Sequence, residues 1–458
     1  MRDLSGIIKA YDVRGVVPDE LDADLARAVG GAFARIARAR SDGAASIVIA
    51  HDMRPSSPDL SEAFADGVMA QGVDVVFAGL GSTDLLYFAS GHLGMPGAMF
   101  TASHNPAKYN GIKMCYAGAA PVGQDTGLRD IRAMAEQGVP AYDGPRGTSS
   151  ERDVLAEYAA YLNALVPLGG SRPLKVCVDA GNGMGGYTVP VVLKGLPFDV
   201  DELYFELDGN FPNHEANPLD PKNLVDLQRR VVEIGADIGL AFDGDADRVF
   251  VVDERGDAVS PSAITALVAV RELAKAPGAS IIHNLITSKA VPEIVREHGG
   301  VPIRSRVGHS FIKGEMAKTG AVFGGEHSAH YYFKDFWNAD TGMLAAMHVL
   351  AALGEQDRPL SELTAEFSRY AASGEINSTV DDAAAKMAEI ETVYADKQLD
   401  HLDGLTVDAG DWWFNVRASN TEPLLRLNVE AGDTLTMERV RDDVLGIIRD
   451  GRVSGSRA

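Results

Sequence analysis

Short apolar runs alternate with amphipathic stretches, and this alternation limits what the chain can fold into more than any other feature. ASIVIAHD (45–52) is apolar until it ends in polar residues, as a strand buried on both faces does. SPDLSEAFADGVMAQG (57–72) follows with helical spacing. VDVVFAG (73–79) then reads as a strand, DLLYFASGHL as a helix and GAMFTAS (97–103) as a strand again. Such β-α repetition predicts a parallel or mixed sheet covered by helices. A second series runs from LKVCVDAGNGMGG (174–186) to IGLAFDGDADRVFVVDERG (238–256). A third contains SIIHNLITSKAV, VPIRSRVGHSFIKGEM and AVFGGEHSAHYYF. From about residue 372 the rhythm changes. A charged helix, DDAAAKMAEIETVYAD, precedes two strands flanking a loop in GLTVDAGDWWFNVRASNTEPLLRLNVE, and TMERVRDDVLGIIRD closes the chain as a helix. GVPAYDGPRGTSS (138–150) has the Gly, Pro and Ser content of a linker.

At 458 residues the chain has room for about three domains, with four allowed. Its net charge of −23 excludes nucleic acid and anionic membrane surfaces as partners unless a local basic patch exists. The same charge repels anionic small molecules at long range, so a cleft for a phosphate ester has to be locally basic. Cys115 and Cys177 each sit in an apolar run, as buried free thiols of a reducing compartment do. No stretch approaches the ~18 apolar residues of a membrane span. The expected location is cytoplasmic.

Four loops carry residues suited to chemistry. TASHNP (101–106) follows a strand, and parallel sheets place their ligands at strand carboxyl ends. Ser103 there has His104 beside it and Lys108 and Lys113 close behind; the competing reading is a serine capping a helix. DGDADR (243–248) sets Asp243, Asp245 and Asp247 at alternate positions between strand-like runs. Three carboxylates this close repel one another unless a cation joins them, and their hard oxygens suit Mg²⁺. An acidic hairpin turn is the plain alternative. An EF-hand is not, because Arg248 stands where that loop needs glycine. RASNTEPLLR (417–426) combines the planar fork of Arg417 with Ser419, Asn420 and Thr421, a donor set for a phosphate dianion. In GEHSAH (325–330), Glu326 and Ser328 share a face of an extended segment and fit two neighbouring sugar hydroxyls; His330 suits acid/base work. Tyr11 and Arg14 in KAYDVRG are placed to face a cleft, and HDMRPSSP (51–58) places Arg54 just after a strand. VDAGNGMGG (178–186) is neither a Walker loop nor G-x-G-x-x-G, so it does not mark a nucleotide site.

In this order, the strand-end Ser-His, the D-x-D-x-D, the G-E-x-S-x-H and the R-x-S-N-T-E-P resemble the α-D-phosphohexomutase family, from Lys9 to about Arg426. GEHSAH and Asn420 look most like its phosphomannomutase branch. The resemblance implies an α/β, four-domain architecture: three similar mixed-sheet α/β domains plus a smaller α+β C-terminal domain around a central cleft. The expected boundaries are 1–148, 149–251, 252–371 and 372–458. It implies that Ser103 is the phosphoserine, and that Asp243, Asp245 and Asp247 hold Mg²⁺ with an oxygen on Ser103 completing the shell. Arg14, His104, Lys113 and His330 would surround the transferring group, with the proton acceptor among them left open. Glu326 and Ser328 would read the sugar, helped by Tyr11, Arg248 and His309. Arg417, Ser419, Asn420 and Thr421 would grip the non-reacting phosphate.

The implied activity is phosphomannomutase, an intramolecular phosphotransfer with hexose 1,6-bisphosphate as intermediate and activator. Phosphoglucomutase or dual specificity is the alternative. The expected partner is a small hexose phosphate, and the expected assembly a monomer or homodimer. Two rivals from other classes are a phosphatase using the same aspartates and a sugar-phosphate sensor; neither needs Ser103 as a carrier. One departure stands out: where the family often supplies a lysine in the segment matching HNLITS, this chain has Ile286, with Lys289 nearby.

Overall fold

The computed structural model describes residues 3–9, 11–40, 43–418 and 424–450, apart from the side chains of His309, Ser310 and Asp450. Four sheets follow one another along the chain, and three share one plan. In the second, Phe198–Leu203, Leu174–Asp179 and Ile238–Phe242 run parallel; Val249–Asp253 and Ala258–Val259 then return antiparallel. The third repeats this with Val301–Ser305, Ser280–Asn284 and Phe323–Gly325 parallel, then Tyr331–Phe333 and Ala339–Asp340 antiparallel. In the first, Asp74–Leu80, Ser46–His51 and Gly97–Phe100 are the parallel trio and Tyr109–Tyr116 is the return strand. The N-terminal strand Val13–Val16 takes the fifth place.

This plan explains the apolar runs. Gly97–Phe100, Ile238–Phe242 and Val249–Asp253 are buried at every position, because helices cover both faces. The covering helices start and stop on ordinary signals. Asp22, Ser82 and Thr341 cap Ala23–Ala39, Thr83–Leu93 and Gly342–Gly354 through their side chains. Gly94, Gly235 and Gly320 end helices in the left-handed conformation.

The short edge strands depart from the expected boundaries. Ser149–Glu151 pairs with Asp74–Leu80 and so belongs to the first sheet, beyond the expected break at 148. Ala258–Val259 belongs to the second sheet, beyond the expected break at 251. Both are too short to display an alternation. The C-terminal sheet also has more strands than the two expected: Ala371–Thr379, Leu424–Ala431, Trp412–Ala418, Leu405–Asp408 and Gln398–Asp400, all antiparallel. The turn after Asp408 splits what reads in sequence as one run, and Ala371–Thr379 is mostly polar.

The cores separate the fourth domain from the rest. Val48, Ala50 and Met99 of the first sheet share one apolar cluster with Val176, Leu240 and Val251 of the second and with Ile281 and Phe323 of the third. Ile47 and Ile49 point the other way, into a cluster under Ala23–Ala39. The C-terminal sheet packs its own cluster, including Val407, Phe414, Leu427 and Val444. Cys115 and Cys177 are buried and unbridged. Among the described residues no helix is long and apolar enough to cross a membrane.

Candidate active site

In each of the first three sheets, the link between the third parallel strand and its antiparallel return is the loop that the sequence marks for chemistry. Residues 101–108, 243–248 and 326–330 occupy this equivalent place. Each loop turns on one residue with positive φ: Ser103 (50°), Ala246 (59°) and Ala329 (64°). A non-glycine residue there costs energy that surrounding contacts must outweigh, about 1–3 kcal/mol. The element after Ser103 is the strand Tyr109–Tyr116, which excludes a helix-capping role for the serine. The aspartate loop is indeed a hairpin turn, between Ile238–Phe242 and Val249–Asp253, and it also gathers its carboxylates.

The sheets bring these loops together. Ser103 Oγ donates to Asp243 Oδ2 at 2.9 Å and lies 3.2 Å from His104 Nδ1. Asp243 also accepts from Arg248 Nε at 2.9 Å and from the Arg248 backbone N–H at 3.2 Å. Lys113 Nζ bridges Asp245 Oδ2 at 2.7 Å and Asp247 Oδ2 at 2.6 Å. Gly244 lies against the Ser103 carbonyl, where a Cβ would come within 2.4 Å of the oxygen. Arg248 and His330 form a backbone bridge, so the second and third loops touch as well. Arg14 donates to Asn105 Oδ1 and to Asp12 Oδ2, both at 2.6 Å.

Burial sets the electrostatics. Asp243, Asp245 and Asp247 are each no more than 1% exposed. Burial drives the Asp243 carboxyl upward in pKa, and the neighbouring carboxylates add to this against Arg248. Asp245 goes the other way: burial opposes ionisation, but Lys113 and Thr83 outweigh it. Burial would lower Lys113, yet the two aspartates beside it hold the ammonium above the ordinary lysine value. His104 is held well below the ordinary histidine value by burial, then by Arg248 and Arg14. Lys113 and Arg248 thus face the three buried carboxylates, with Arg14 paired to Asp12 beside them, so the cluster is balanced in charge rather than basic.

One carboxylate oxygen from each of the three aspartates falls within 4.8 Å of the others. Among the described residues, Asp245 Oδ1 and Asp247 Oδ1 are buried without a hydrogen-bond partner. Such atoms are costly to leave alone, and a hard divalent cation satisfies them. The donor set thus fits Mg²⁺. A second group, Asp247, His330 and Asp340, adjoins it, and Asp340 pairs with buried Lys313 at 2.6 Å.

The remaining expected residues are distributed around this centre. Glu326 is 1% exposed and accepts from Asn284 Nδ2, the Gly308 N–H and the Tyr332 hydroxyl. Ser328 lies 2.9 Å from His330 Nδ1, and Glu326 lies 3.9 Å from the same nitrogen. Tyr11 is half-buried, near Glu326 and Asp403. Arg417 pairs with Glu375 at 2.7 Å rather than with any residue of the aspartate cluster. Ser419, Asn420 and Thr421 lie outside the described residues, as does the His309 side chain. Ile286 is 6% exposed and lines a cavity of about 250 Å³ between the third and fourth sheets, with His327, Trp413 and Asn428. Lys289 does not replace a lysine at 286: its Nζ pairs with Asp408 at 2.7 Å and ties the third domain to the fourth.

Sequence reasoning missed Thr83, Asp340, Lys313 and the task of Arg54. The Arg54 side chain has no exposed surface. It donates to the carbonyls of Ser103, Asn105, Pro106 and Tyr109 at 2.7–3.0 Å and so holds the serine loop in shape. Its position two residues after Asp52, directly beyond a strand, was the one available signal.

The four profiles of the family "Phosphoglucomutase/phosphomannomutase" match in order: alpha/beta/alpha domain I over residues 6–139, domain II over 156–256, domain III over 260–370 and the C-terminal domain over 375–447. The curated "Phosphohexose mutases" of Xanthomonas campestris pv. campestris are 41% identical over 446 residues, covering 96% of this chain and 98% of theirs. The phosphomannomutase of Salmonella montevideo is 39% identical over 452 residues, with 96% and 98% covered. A crystal structure of a phosphoglucomutase/phosphomannomutase family protein from Burkholderia thailandensis superposes with a TM-score of 0.89 at 34% identity, covering 98% of this chain and 99% of that one. Each sheet thus has its own counterpart in the profile series, and likeness at this level extends over nearly the whole length: the chain belongs to the phosphoglucomutase/phosphomannomutase family, within the α-D-phosphohexomutase superfamily.

Proposed function

We propose that the protein is a phosphomannomutase, interconverting mannose 6-phosphate and mannose 1-phosphate through phosphorylated Ser103 and a hexose 1,6-bisphosphate. The observation that carries this reading is the 2.9 Å contact of Ser103 Oγ with Asp243, beside two buried carboxylate oxygens without partners. Asp243, Asp245 and Asp247, with an oxygen on Ser103, would hold Mg²⁺. When bound, it offsets the charge of the transferring phosphoryl group.

The chain's own residues supply positioning and charge. Arg54 fixes the serine loop, and Arg14, Lys113 and Arg248 bring cationic groups to it. As the bond from phosphorus to Ser103 Oγ breaks, a bond to a sugar hydroxyl forms. His104 is assigned the proton of that hydroxyl, because its lowered pKa keeps it neutral near pH 7 and its Nδ1 already faces Ser103. The bisphosphate then returns its other phosphoryl group to Ser103. Tyr11, Arg248, His309, Glu326 and Ser328 are assigned to the sugar and His330 to the transferring group, while Arg417, Ser419, Asn420 and Thr421 would hold the phosphate that is not reacting.

The Salmonella relative's name supports mannose as the preferred sugar, and the family description, which names both sugars, supports dual specificity as the second reading. The test is kcat/KM for mannose 1-phosphate against glucose 1-phosphate, with catalytic bisphosphate and Mg²⁺. A clear preference for mannose 1-phosphate is expected. Equal values would replace the label with dual specificity, and inactivity of phosphorylated enzyme toward both would sink the mutase reading. Ser103→Ala is expected to abolish isomerisation; a phosphatase built on the aspartates would keep its hydrolysis.

A further inference from the structure

The segment GSTDLL begins a helix in the first domain, with Ser82 as its cap. A threonine just inside such a cap ordinarily has its hydroxyl free for solvent. Thr83 is instead fully buried, and both its backbone donor and its hydroxyl go to one residue 162 positions away in the second domain. Its N–H donates to the Asp245 carbonyl at 3.0 Å. Its Oγ1 donates to Asp245 Oδ2 at 2.5 Å. The next residue anchors the helix start from two more directions: Asp84 Oδ2 accepts from the Tyr158 hydroxyl and from Thr341 Oγ1, both at 2.7 Å. Thr83 therefore stands on a support fixed to all three of the similar domains.

The geometry points to Thr83 as the positioning residue that sets which oxygen of Asp245 is presented to the divalent cation. This inference rests on the Mg²⁺ reading of the aspartate cluster. Asp245 Oδ2 is engaged by Thr83 and by Lys113, and Oδ1 is the buried oxygen left without a partner. The two donors differ in what they can impose. Lys113 is a long stem with a rotatable ammonium and can follow whichever oxygen turns toward it. Thr83 is short, and its own backbone bond to the Asp245 carbonyl fixes where its hydroxyl can reach. It does not follow, so the carboxylate must keep Oδ2 toward it and Oδ1 toward the cluster. A partner that orients a metal-ligating carboxylate is worth about 10–100-fold in metal affinity.

The experiment is Mn²⁺ binding, by electron paramagnetic resonance with Mg²⁺ competition, to the intact chain stripped with chelator. Thr83→Val keeps the shape and removes the hydroxyl; Thr83→Ser keeps the hydroxyl. Thr83→Val is expected to weaken Mn²⁺ by about tenfold or more, and Thr83→Ser, which keeps the hydroxyl, to bind clearly more tightly than Thr83→Val. Unfolding midpoints in chelator report whether each variant is folded; if the valine variant is not, Thr83→Ala is read in its place. Wild-type affinity in the hydroxyl-free variant, or equal loss in the serine variant, overturns the inference. A wild-type protein that binds neither cation overturns the Mg²⁺ reading itself, and that result appears before any variant is made.

Discussion

Arg54 illustrates how much of the site depends on a residue that touches no reacting atom. Its guanidinium donates to three loop carbonyls, to the Tyr109 carbonyl at the start of the return strand and to Asp52 Oδ2 at 3.1 Å, with Phe211 packed 5.1 Å away. Five donors in a planar fork can reach acceptors on several sides at once; a lysine ammonium at the same place reaches fewer and carries them on a flexible stem. Arg54→Lys is therefore not conservative. Loss of these buried bonds is expected to destabilise the protein by about 1–3 kcal/mol for each carbonyl left without a partner, read by urea unfolding. Among molecules still folded, kcat is expected to fall by about 100-fold, because the serine loop is no longer held in its positive-φ turn. Wild-type kcat in a folded Lys variant would show that the loop keeps its shape without the fork.

At the scale of elements, close approach of backbones decides what the sheets can hold. The helices Ala23–Ala39 and Ser57–Ala70 cross where Gly67 meets Arg27: a Cβ on Gly67 would lie 2.0 Å from the Arg27 carbonyl oxygen. Gly31, on the facing helix, has only ordinary or slightly tight neighbours, the nearest a Val139 methyl at 3.3 Å. Alanine gains roughly 1 kcal/mol over glycine in either helix. At Gly67 the backbone clash outweighs that gain, so Gly67→Ala is expected to cost about 1–3 kcal/mol, while Gly31→Ala is near neutral. Urea unfolding of the two variants side by side checks the contrast. The same distinction between local and distant information separates what the sequence makes legible from what it hides. TASHNP and DGDADR can be read because each is one contiguous turn after an apolar strand. Arg54, Thr83 and Asp340 cannot, since what gives them meaning is a partner brought close only by the packing of sheets. The strands Ser149–Glu151 and Ala258–Val259 stay hidden because two or three residues show no period.

For the whole molecule, Asp84 is where three domains are joined. Its carboxylate accepts from Ser82, Tyr158 and Thr341 on three different elements. Burial pushes its pKa up to about 6 from 3.8, although those hydrogen bonds pull it back. The folded protein thus keeps the proton over a range in which the unfolded chain has lost it. The resulting stabilisation is fully present below pH 3.8 and is lost as pH rises to about 6. Relative to Asp84→Asn, wild-type stability is expected to fall by about 3 kcal/mol across that window and then level off. Urea unfolding of both proteins from pH 4 to 7 tests this, and a flat difference would count against it. The spacing of the contact between Ser103 and Asp243 has a consequence for how the protein is made. The two residues are 140 positions apart. A ribosome adding about 5–20 residues per second releases the serine roughly 7–28 s before the aspartate. The nascent first domain therefore emerges with the Ser103 hydroxyl in place and Asp243, Asp245 and Asp247 still untranslated, so the proposed site is complete only late in synthesis, after the second domain has joined the first.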